Sequence, residues 1–342
     1  IYPFTSPLDL LCFKPLSFIS RIRMGIMVLS SKFIKDYSAF EIITAKEWII
    51  RNSGLQVWEK IWGPLIKSKF DIDSDSISGT WIWNKLKLRG SSRGKNLNSE
   101  MLGYLDGSFN KTVEIMAERI IQSGGNIILN DEVTSIIKNE NGSFDIISKD
   151  HKANYDKVLF TGSPNLLERL LKGSYDDYKG SLRRIRHKAN ICAILELSES
   201  LSPYYWITIA QDDLPFVLII EHTNLVGLKE YDSHIVYLSR YLDISDPLYS
   251  ASDEEIKDKF ITGLKKVFPN LNQHIIKNIT ISRVPFAQPV ITLGYSKIIP
   301  DIRTPVEGLF MASMSQIYPE DRGLNYAVGL GRKAANEIMG II

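Results

Sequence analysis

The chain has 342 residues, 44% of them hydrophobic, and its 41 basic and 39 acidic residues leave a net charge of +2. This length and hydrophobic content predict a large core divided between two domains. The mixed charge argues against a surface that binds nucleic acid. Cys12 and Cys192 lie far apart in the sequence, which argues against a disulfide framework and favours a reducing cytoplasm.

Metal binding and membrane insertion are both disfavoured by the sequence. The 5 histidines show no metal-ligand spacing, so we expect no metal site. No uninterrupted apolar stretch reaches the roughly 18 to 20 residues that a membrane-spanning helix needs. The sequence does not exclude peripheral contact with a membrane.

Residues 1–95 are predicted to be mainly helical, because apolar residues recur at spacings of three and four from Leu8 to Ile26. Thr44-Ala45-Lys46-Glu47 is a candidate capping box for a further helix. Pro64 is expected to break the helical pattern. The tryptophans of the next amphipathic run line a substrate cavity or, as is more usual at helical spacing, belong to the core: Trp81 and Trp83.

Residues 96–165 alternate between helix and strand. A helix carrying Val113 and Ile121 is expected to end at Gly124-Gly125, and Asn126 to Leu129 is expected to form a short buried strand. Asn141-Gly142 predicts the turn of a β-hairpin. The remaining strands of this stretch are expected at Val133–Ile137, Phe144–Ile147 and Tyr155–Phe160, the last of which leads to a Thr161-Gly162 turn.

Residues 166–295 change to consecutive strands with one long helix. Ser252 is expected to cap this helix, together with Glu255. Strands with short connections predict an antiparallel sheet with the helix packed on it. The strands are expected at Ala189–Leu197, Tyr204–Ala210, Phe216–Glu221, His234–Leu242 and Ile275–Val284.

Aromatic side chains of this predicted sheet are candidates to line a pocket on one face. Because side chains alternate along a strand, Tyr204 and Trp206 are expected to share a face, while Tyr205 points the other way. Packing of the sheet against its helix is an equally good reason for any one of these aromatics. The candidates are Tyr204, Tyr205, Trp206, Phe216 and Tyr237.

Residues 296–342 contain an apolar strand at Gly308–Ser313, a polar loop at Tyr318–Arg322 and a helix that opens at Gly323. A helix that begins in this way presents free backbone N–H groups and the positive end of its dipole to a ligand. Small residues along one face of the helix predict close packing against a sheet or a flat ligand: Gly323, Ala327, Gly331, Ala334 and Ala335.

This carboxy-terminal unit resembles the flavin-binding signature of the FAD-dependent amine oxidase superfamily, which includes protoporphyrinogen oxidases and phytoene-desaturase-like enzymes. Two further segments resemble the family in the same order: Gly124 to Val133 reads G-G-x-I-x-L-x-x-x-V, and Asp156 to Thr161 reads D-x-V-x-x-T. The resemblance covers most of the chain. No G-x-G-x-x-G occurs in the sequence, so we expect either an amino-terminally incomplete chain or a protein that has lost its cofactor.

The resemblance implies a mixed α/β fold. A Rossmann-like FAD-binding domain, lacking its first βαβ part, would comprise residues 96–165 and 296–342. The inserted substrate domain would combine an antiparallel sheet, residues 166–295, with the helices of residues 1–95.

The resemblance also implies the position of the cofactor. Val133 would contact the adenine side of FAD through its backbone, and Thr161-Gly162 would lie near the dinucleotide. Met314 occupies a position that is acidic in many relatives, and Asp321 is a candidate to compensate. The other cofactor-binding candidates are Ser313, Arg322, Gly323, Leu324, Asn325 and Ala327.

The implied activity is oxidation of a C–N or C–C unit by hydride transfer to flavin, and the apolar helices favour a bulky, hydrophobic or ring-shaped substrate. No catalytic side chain is identified. Two alternatives are a flavin-binding mutase or isomerase without net redox change, and a non-catalytic binding protein that has lost its flavin.

Overall fold

A computed structural model describes residues 2–3, 6–91, 103–210 and 213–341, and the chain divides into two compact units. The first unit comprises Ile1–Gly103 and His187–Leu293, and the second comprises Tyr104–Arg186 and Gly294–Ile342. Each unit is therefore built from two separate stretches of chain. The domain boundary expected between residues 95 and 96 lies outside the described residues.

The amino-terminal part of the first unit is helical, as predicted. Its helices are α1 (Pro7–Cys12), α2 (Phe18–Ser31), α3 (Ala45–Ser53), α4 (Leu55–Val57), α5 (Gly63–Phe70) and α6 (Gly79–Ser91). Thr44 and Glu47 form the predicted capping box of α3. The prediction that Pro64 breaks the helix is wrong, because a π-helical turn (Trp58–Trp62) leads directly into α5. Pro64 lies in the first turn of α5, where its missing N–H is tolerated.

The tryptophans of α6 belong to the core of the first unit. Trp81 is 5% exposed and Trp83 is 1% exposed. The Trp83 indole N–H donates to the carbonyl of Ser31, at the end of α2, over 3.2 Å, and the ring stacks on Phe40 with a centroid distance of 5.7 Å. Of the two interpretations of these residues, the structure supports packing.

The second unit begins with a helix and a small antiparallel sheet in the order β1-β2-β3. Its first elements are α7 (Ser108–Gln122), β1 (Val133–Lys138), β2 (Phe144–Ser148), β3 (Lys152–Tyr155), β4 (Val158–Phe160), α8 (Pro164–Leu170) and α9 (Asp176–Arg183). The hairpin predicted at Asn141-Gly142 is confirmed, since it joins β1 to β2.

Asn126 to Leu129, predicted to form a short buried strand, does not form one. Ile127, Ile128 and Leu129 are 40%, 58% and 76% exposed, and no strand of the described chain pairs with them. The apolar pattern is that of a buried strand, but burial also requires a neighbouring strand.

The first unit continues with a 5-stranded sheet in the order β6-β7-β8-β5-β9, antiparallel at every pairing. Its elements are β5 (His187–Leu197), β6 (Trp206–Thr208), β7 (Leu218–Glu221), α10 (Thr223–Val226), β8 (His234–Leu242), α11 (Pro247–Ser250), α12 (Asp253–Val267) and β9 (Ile276–Pro289). Ser252 and Glu255 form the predicted capping box of α12. The buried face of the sheet packs against Ile256, Phe260 and Leu264 of α12.

The aromatic residues of this sheet do not share one face. Trp206 is 49% exposed, whereas its neighbour Ile207 is 7% exposed and packs in the core with α12. Trp206 pairs with Ile220 and Ile220 pairs with Tyr237 across the strands, so these residues form a row on the face away from α12. Phe216, predicted to belong with them, is instead fully buried against Phe260 with a ring-centroid distance of 5.6 Å.

The second unit ends with β10 (Leu309–Met311) and α13 (Leu324–Met339). Ala334 of α13 is buried with Ile302 and Phe310, and Leu330 and Ile338 pack against the same cluster. Of the small residues predicted to pack closely against a sheet or a flat ligand, Ala334 packs on this cluster. Ala327, Gly331 and Ala335 are exposed, because the contact follows the line of Leu330, Ala334 and Ile338.

Candidate cofactor site

The cofactor-binding candidates from two distant segments meet at one edge of a parallel strand pair. In the second unit, β10 pairs with β4 in the register Leu309 to Val158 and Met311 to Phe160. The backbone N–H of Ala312 then donates to the carbonyl of Phe160 over 2.9 Å. Thr161-Gly162 and Ser313-Met314 therefore leave the pair at its carboxyl edge, which is where open α/β sheets bind ligands.

The turn after β4 is tight, and a larger residue at Gly162 would need the Phe160 ring to shift. A Cβ atom at Gly162 would lie 2.6 Å from Cζ of Phe160, closer than side-chain atoms approach each other. The next residue, Ser163, caps α8 by accepting a hydrogen bond from the N–H of Leu166 over 3.3 Å. The chain thus turns directly from β4 into α8, which leaves Thr161 and Gly162 at the edge.

The turn after β10 is organised by its own side chains. Ser313 is 4% exposed, and its hydroxyl accepts from the N–H of Ser315 over 3.4 Å. The Gln316 carboxamide accepts from the N–H of Ser313 and donates to the carbonyls of Pro300 and Met311 over 3.0 and 3.2 Å. Ser313 therefore shapes the turn. The half-buried Met314 beside it has no strong hydrogen-bonding group.

Gln316 is a supporting residue that the sequence interpretation missed. Ser313 and Gln316 form a reciprocal capping box around the short turn Met314–Gln316. The signal for it was present, because serine followed three residues later by glutamine is the capping-box spacing. Tyr295 was missed as well: it is fully buried, and its hydroxyl donates to the carbonyl of Ser315 over 2.9 Å.

The first turn of α13 is open. Gly323 occupies the N-cap position and has no side chain to cap the helix. In the described part of the chain, the amides of residues 324–326 donate to no protein acceptor. Leu324 is 59% exposed, so solvent reaches this end. The free amides and the helix dipole together favour an electron-rich acceptor there.

Acidic side chains of the preceding loop lie close to this helix start. Burial raises the pKa of the Tyr326 hydroxyl, and the negative charges of Glu320 and Asp321 raise it further. These carboxylates partly offset the positive end of the helix dipole. The arrangement therefore suits a neutral, hydrogen-bond-accepting ring better than a second full negative charge.

Val133 lies at the start of β1, in the same unit as the other candidates. It packs on the apolar cluster of the second unit, to which Phe160 and Leu166 also contribute. The register between β1 and β2 shifts between Val133 and Ser135. All the predicted cofactor-binding residues thus belong to the second unit.

Comparison with known proteins decides the family. The family model of flavin-containing amine oxidoreductases matches residues 2–339. The chain belongs to this family. The predicted resemblance is therefore confirmed, and with it FAD as the cofactor of the family and the class of FAD-dependent oxidoreductases. No curated protein sequence matches the chain.

Solved structures share the fold. A protein assigned as a protoporphyrinogen oxidase from Exiguobacterium sp. is 15% identical with a TM-score of 0.66, over 95% of this chain and 73% of its own. Putrescine oxidase bound to putrescine is 15% identical with a TM-score of 0.63, over 95% and 77%. Reduced UDP-galactopyranose mutase is 12% identical with a TM-score of 0.67, over 96% and 74%. At these identities the likeness concerns the fold alone.

Proposed function

We propose that the carboxyl edge of β4 and β10 and the first turn of α13 hold the isoalloxazine ring of FAD. The open helix start at Gly323 carries this proposal, because its unused amides suit the carbonyl groups of a flavin ring. Thr161-Gly162 and Ser313-Met314 would border the ring, and the backbone of Val133 would contact the adenine side. The other contacts would come from Arg322, Leu324, Asn325 and Ala327.

When bound, FAD supplies the redox chemistry by accepting a hydride equivalent from the substrate. The side chains of this chain bind and orient the reactants. Met314 and Leu324 present apolar surface at the site, which would pack against the bound ring. The donor amides of residues 324–326 favour electron density on the ring. We propose that the bond oxidised is a C–N or C–C unit.

The substrate side is proposed to be the five-stranded sheet of residues 187–289 together with the helices of residues 1–95. Residues 166–186, expected to belong with this sheet, lie in the second unit. The row formed by Trp206, Ile220 and Tyr237 supports this, because it lies on the sheet face that α12 does not cover. A half-exposed aromatic row suits a bulky, hydrophobic or ring-shaped substrate. We propose a reducing, cytoplasmic location on the basis of the two free cysteines, Cys12 and Cys192.

A bulky side chain at the helix start tests the flavin position. We expect Gly323→Leu to weaken the binding of riboflavin and of FAD about tenfold or more. The new side chain would occupy the space of the ring and displace Asn325, whose Oδ1 lies 2.8 Å from a Cβ atom at this position. The matched control is Gly331→Leu, because a Cβ atom at Gly331 meets nothing within 4 Å. Flavin fluorescence polarisation measures both. Equal affinities for the two variants would refute the assignment.

A mutase shares this fold. Whether this protein catalyses a reaction with net redox change therefore needs a separate test. Mixing the flavin-loaded protein anaerobically with amines and with hydroxylated or partly saturated ring compounds should bleach the oxidised flavin spectrum if the protein is an oxidoreductase. Turnover that requires pre-reduced flavin and leaves it reduced would indicate a mutase or isomerase. Absence of flavin binding in a version completed with a G-x-G-x-x-G loop would indicate a binding protein.

A further inference from the structure

The first two helices of the first unit expose an unusual amount of apolar side chain. Helix α2 buries one face through Met24, Met27 and Ser31. Its opposite face repeats apolar residues at spacings of three and four, and these residues face solvent. Together with residues of α1 and the segment after α2 they form what we call the apolar ridge: Leu8, Leu11, Phe18, Ile19, Ile22, Ile26, Leu29 and Phe33, which are between 40% and 83% exposed.

An exposed stripe of this length requires an explanation. Single exposed apolar residues are ordinary on protein surfaces, but a contiguous row indicates a binding surface. Both faces of α2 are apolar, and only one of them is used by the fold. The exposed face of α2 is therefore available to a second partner.

The ridge lies in a strongly basic part of the chain. Residues 6–36 contain five basic side chains, Lys14, Arg21, Arg23, Lys32 and Lys35, and two acidic side chains, Asp9 and Asp36, which gives a net charge of +3. The net charge of the entire chain is only +2. Positive charge is therefore concentrated beside the exposed apolar residues.

Most of this positive charge stays uncompensated. The Arg21 guanidinium donates to the backbone carbonyl of Leu16 over 2.9 Å, and that of Arg23 donates to the carbonyl of Asn52 over 3.1 Å. Carbonyl groups are neutral, so both charges remain. Asp9 is held in the capping box of α1 by Ser6. In the described part of the chain, none of the five basic residues forms a salt bridge.

We propose that the apolar ridge binds the surface of a bilayer containing anionic phospholipids. The apolar side chains would enter the headgroup region, and the lysines would contact lipid phosphates, as in amphipathic helices that lie in the membrane interface. With 14 residues, α2 is too short to cross a bilayer, and among the described residues no helix is long and apolar enough to do so. The ridge lies along the surface.

The positive charge beside the apolar ridge argues against a second copy of the chain as its binding partner. A symmetric dimer through the ridge would place one net charge of +3 against another, and like charges across an interface oppose association. An anionic lipid surface offers the opposite sign. Apolar burial and charge attraction then act together on the same face.

Vesicle co-sedimentation of the full chain tests the proposal. We expect binding to vesicles of phosphatidylglycerol mixed with phosphatidylcholine, weak binding to phosphatidylcholine alone, and release at high salt as the charges are screened. The double variant Ile19→Glu/Ile26→Glu should abolish binding. These side chains are 71% and 61% exposed, so the fold should persist, as circular dichroism would verify. Ile72→Glu is the matched control, because Ile72 is 77% exposed and lies outside the ridge.

The charge contribution is measured separately. Lys14→Gln and Lys35→Gln should each weaken binding to the anionic vesicles about fivefold and leave binding to phosphatidylcholine unchanged. Failure of the full chain to bind anionic vesicles would overturn the proposal. So would a dimer in lipid-free solution, seen by sedimentation velocity, that Ile19→Glu/Ile26→Glu dissociates.

Discussion

At the scale of single residues, Lys188 is a fully buried charge of the first unit. Its side chain is fully buried, and Nζ lies 2.7 Å from Oδ2 of Asp73 and 3.6 Å from Oδ2 of Asp243. Hydrogen bonds from Ser245, and then the charge of Lys188, lower the pKa of the Asp243 carboxyl. Removing the lysine would break its ion pair with Asp73, whose side chain is 11% exposed.

We therefore expect Lys188→Met to lower the free energy of unfolding by about 3 kcal/mol, the cost of breaking a buried ion pair. Urea denaturation measures the change. Lys46→Met is the control, because Lys46 pairs with Asp75 at the surface over 3.1 Å, where such pairs contribute about 0 to 1 kcal/mol. Equal effects of the two substitutions would contradict the burial argument.

The ionised carboxylate of Asp145 makes the stability of the small sheet of the second unit depend on pH. Hydrogen bonds from Lys152, then Asn154 and Asn139, lower the pKa of its carboxyl to about 2. A lowered pKa contributes stability above the ordinary value of about 3.9, and this contribution disappears as the pH falls towards 2. Asp145→Asn should therefore flatten the loss of stability between about pH 4 and pH 2. Melting temperatures of the wild type and of Asp145→Asn across this pH range test the prediction. Equal pH dependence of the two proteins would refute it.

At the scale of elements, helical glycines have opposite roles according to what surrounds them. A Cβ atom at Gly63, just after the π-helical turn, would lie 2.8 Å from the carbonyl oxygen of Trp58. At Gly25, inside α2, the nearest atom would be Cδ2 of Leu10 at an ordinary 3.8 Å. The widened turn at residues 58–62 thus depends on a missing side chain, whereas α2 does not.

We expect Gly63→Ala to destabilise the protein by about 1 to 3 kcal/mol, since the backbone of the π-helical turn must shift to relieve the contact. Gly25→Ala should stabilise it by about 0.5 to 1 kcal/mol, because alanine favours a helix over glycine. Chemical denaturation of the two variants compares them directly. Stabilisation by both would show that the contact at Gly63 relaxes without cost.

At the scale of the whole molecule, the cofactor candidates and the aromatic row belong to different units. Every cofactor candidate lies in the second unit, whereas Trp206 and Tyr237 lie in the first. Each unit also has its own apolar core. Substitutions in the two units should therefore have separable effects on flavin content and on substrate turnover.

We expect Trp206→Ala to change the rate or selectivity of flavin reduction by substrate while leaving flavin content unchanged. Trp206 is 49% exposed, so its loss should cost little stability. Ile42→Ala is the control, since Ile42 is 75% exposed and lies outside the sheet. Stopped-flow reduction and flavin absorbance per chain measure the two effects. Loss of flavin in proportion to activity would contradict this division.

Features that depend on neighbouring residues were determined by the sequence alone. The capping boxes at Thr44 and Ser252, the Asn141-Gly142 hairpin and the β8 strand all appear as predicted, because a few adjacent residues decide them. The family could also be recognised from short segments in a fixed order.

Burial and mutual position were decided only by the tertiary structure. An apolar pattern states that a face can be buried, but the partner that buries it lies far away in the sequence. For this reason Asn126–Leu129 remains exposed and Phe216 packs against α12. For the same reason, only one of the two apolar faces of α2 is buried. The meeting of Thr161-Gly162 with Ser313-Met314 likewise depends on the parallel pairing of β4 with β10, whose strands are about 150 residues apart in the chain.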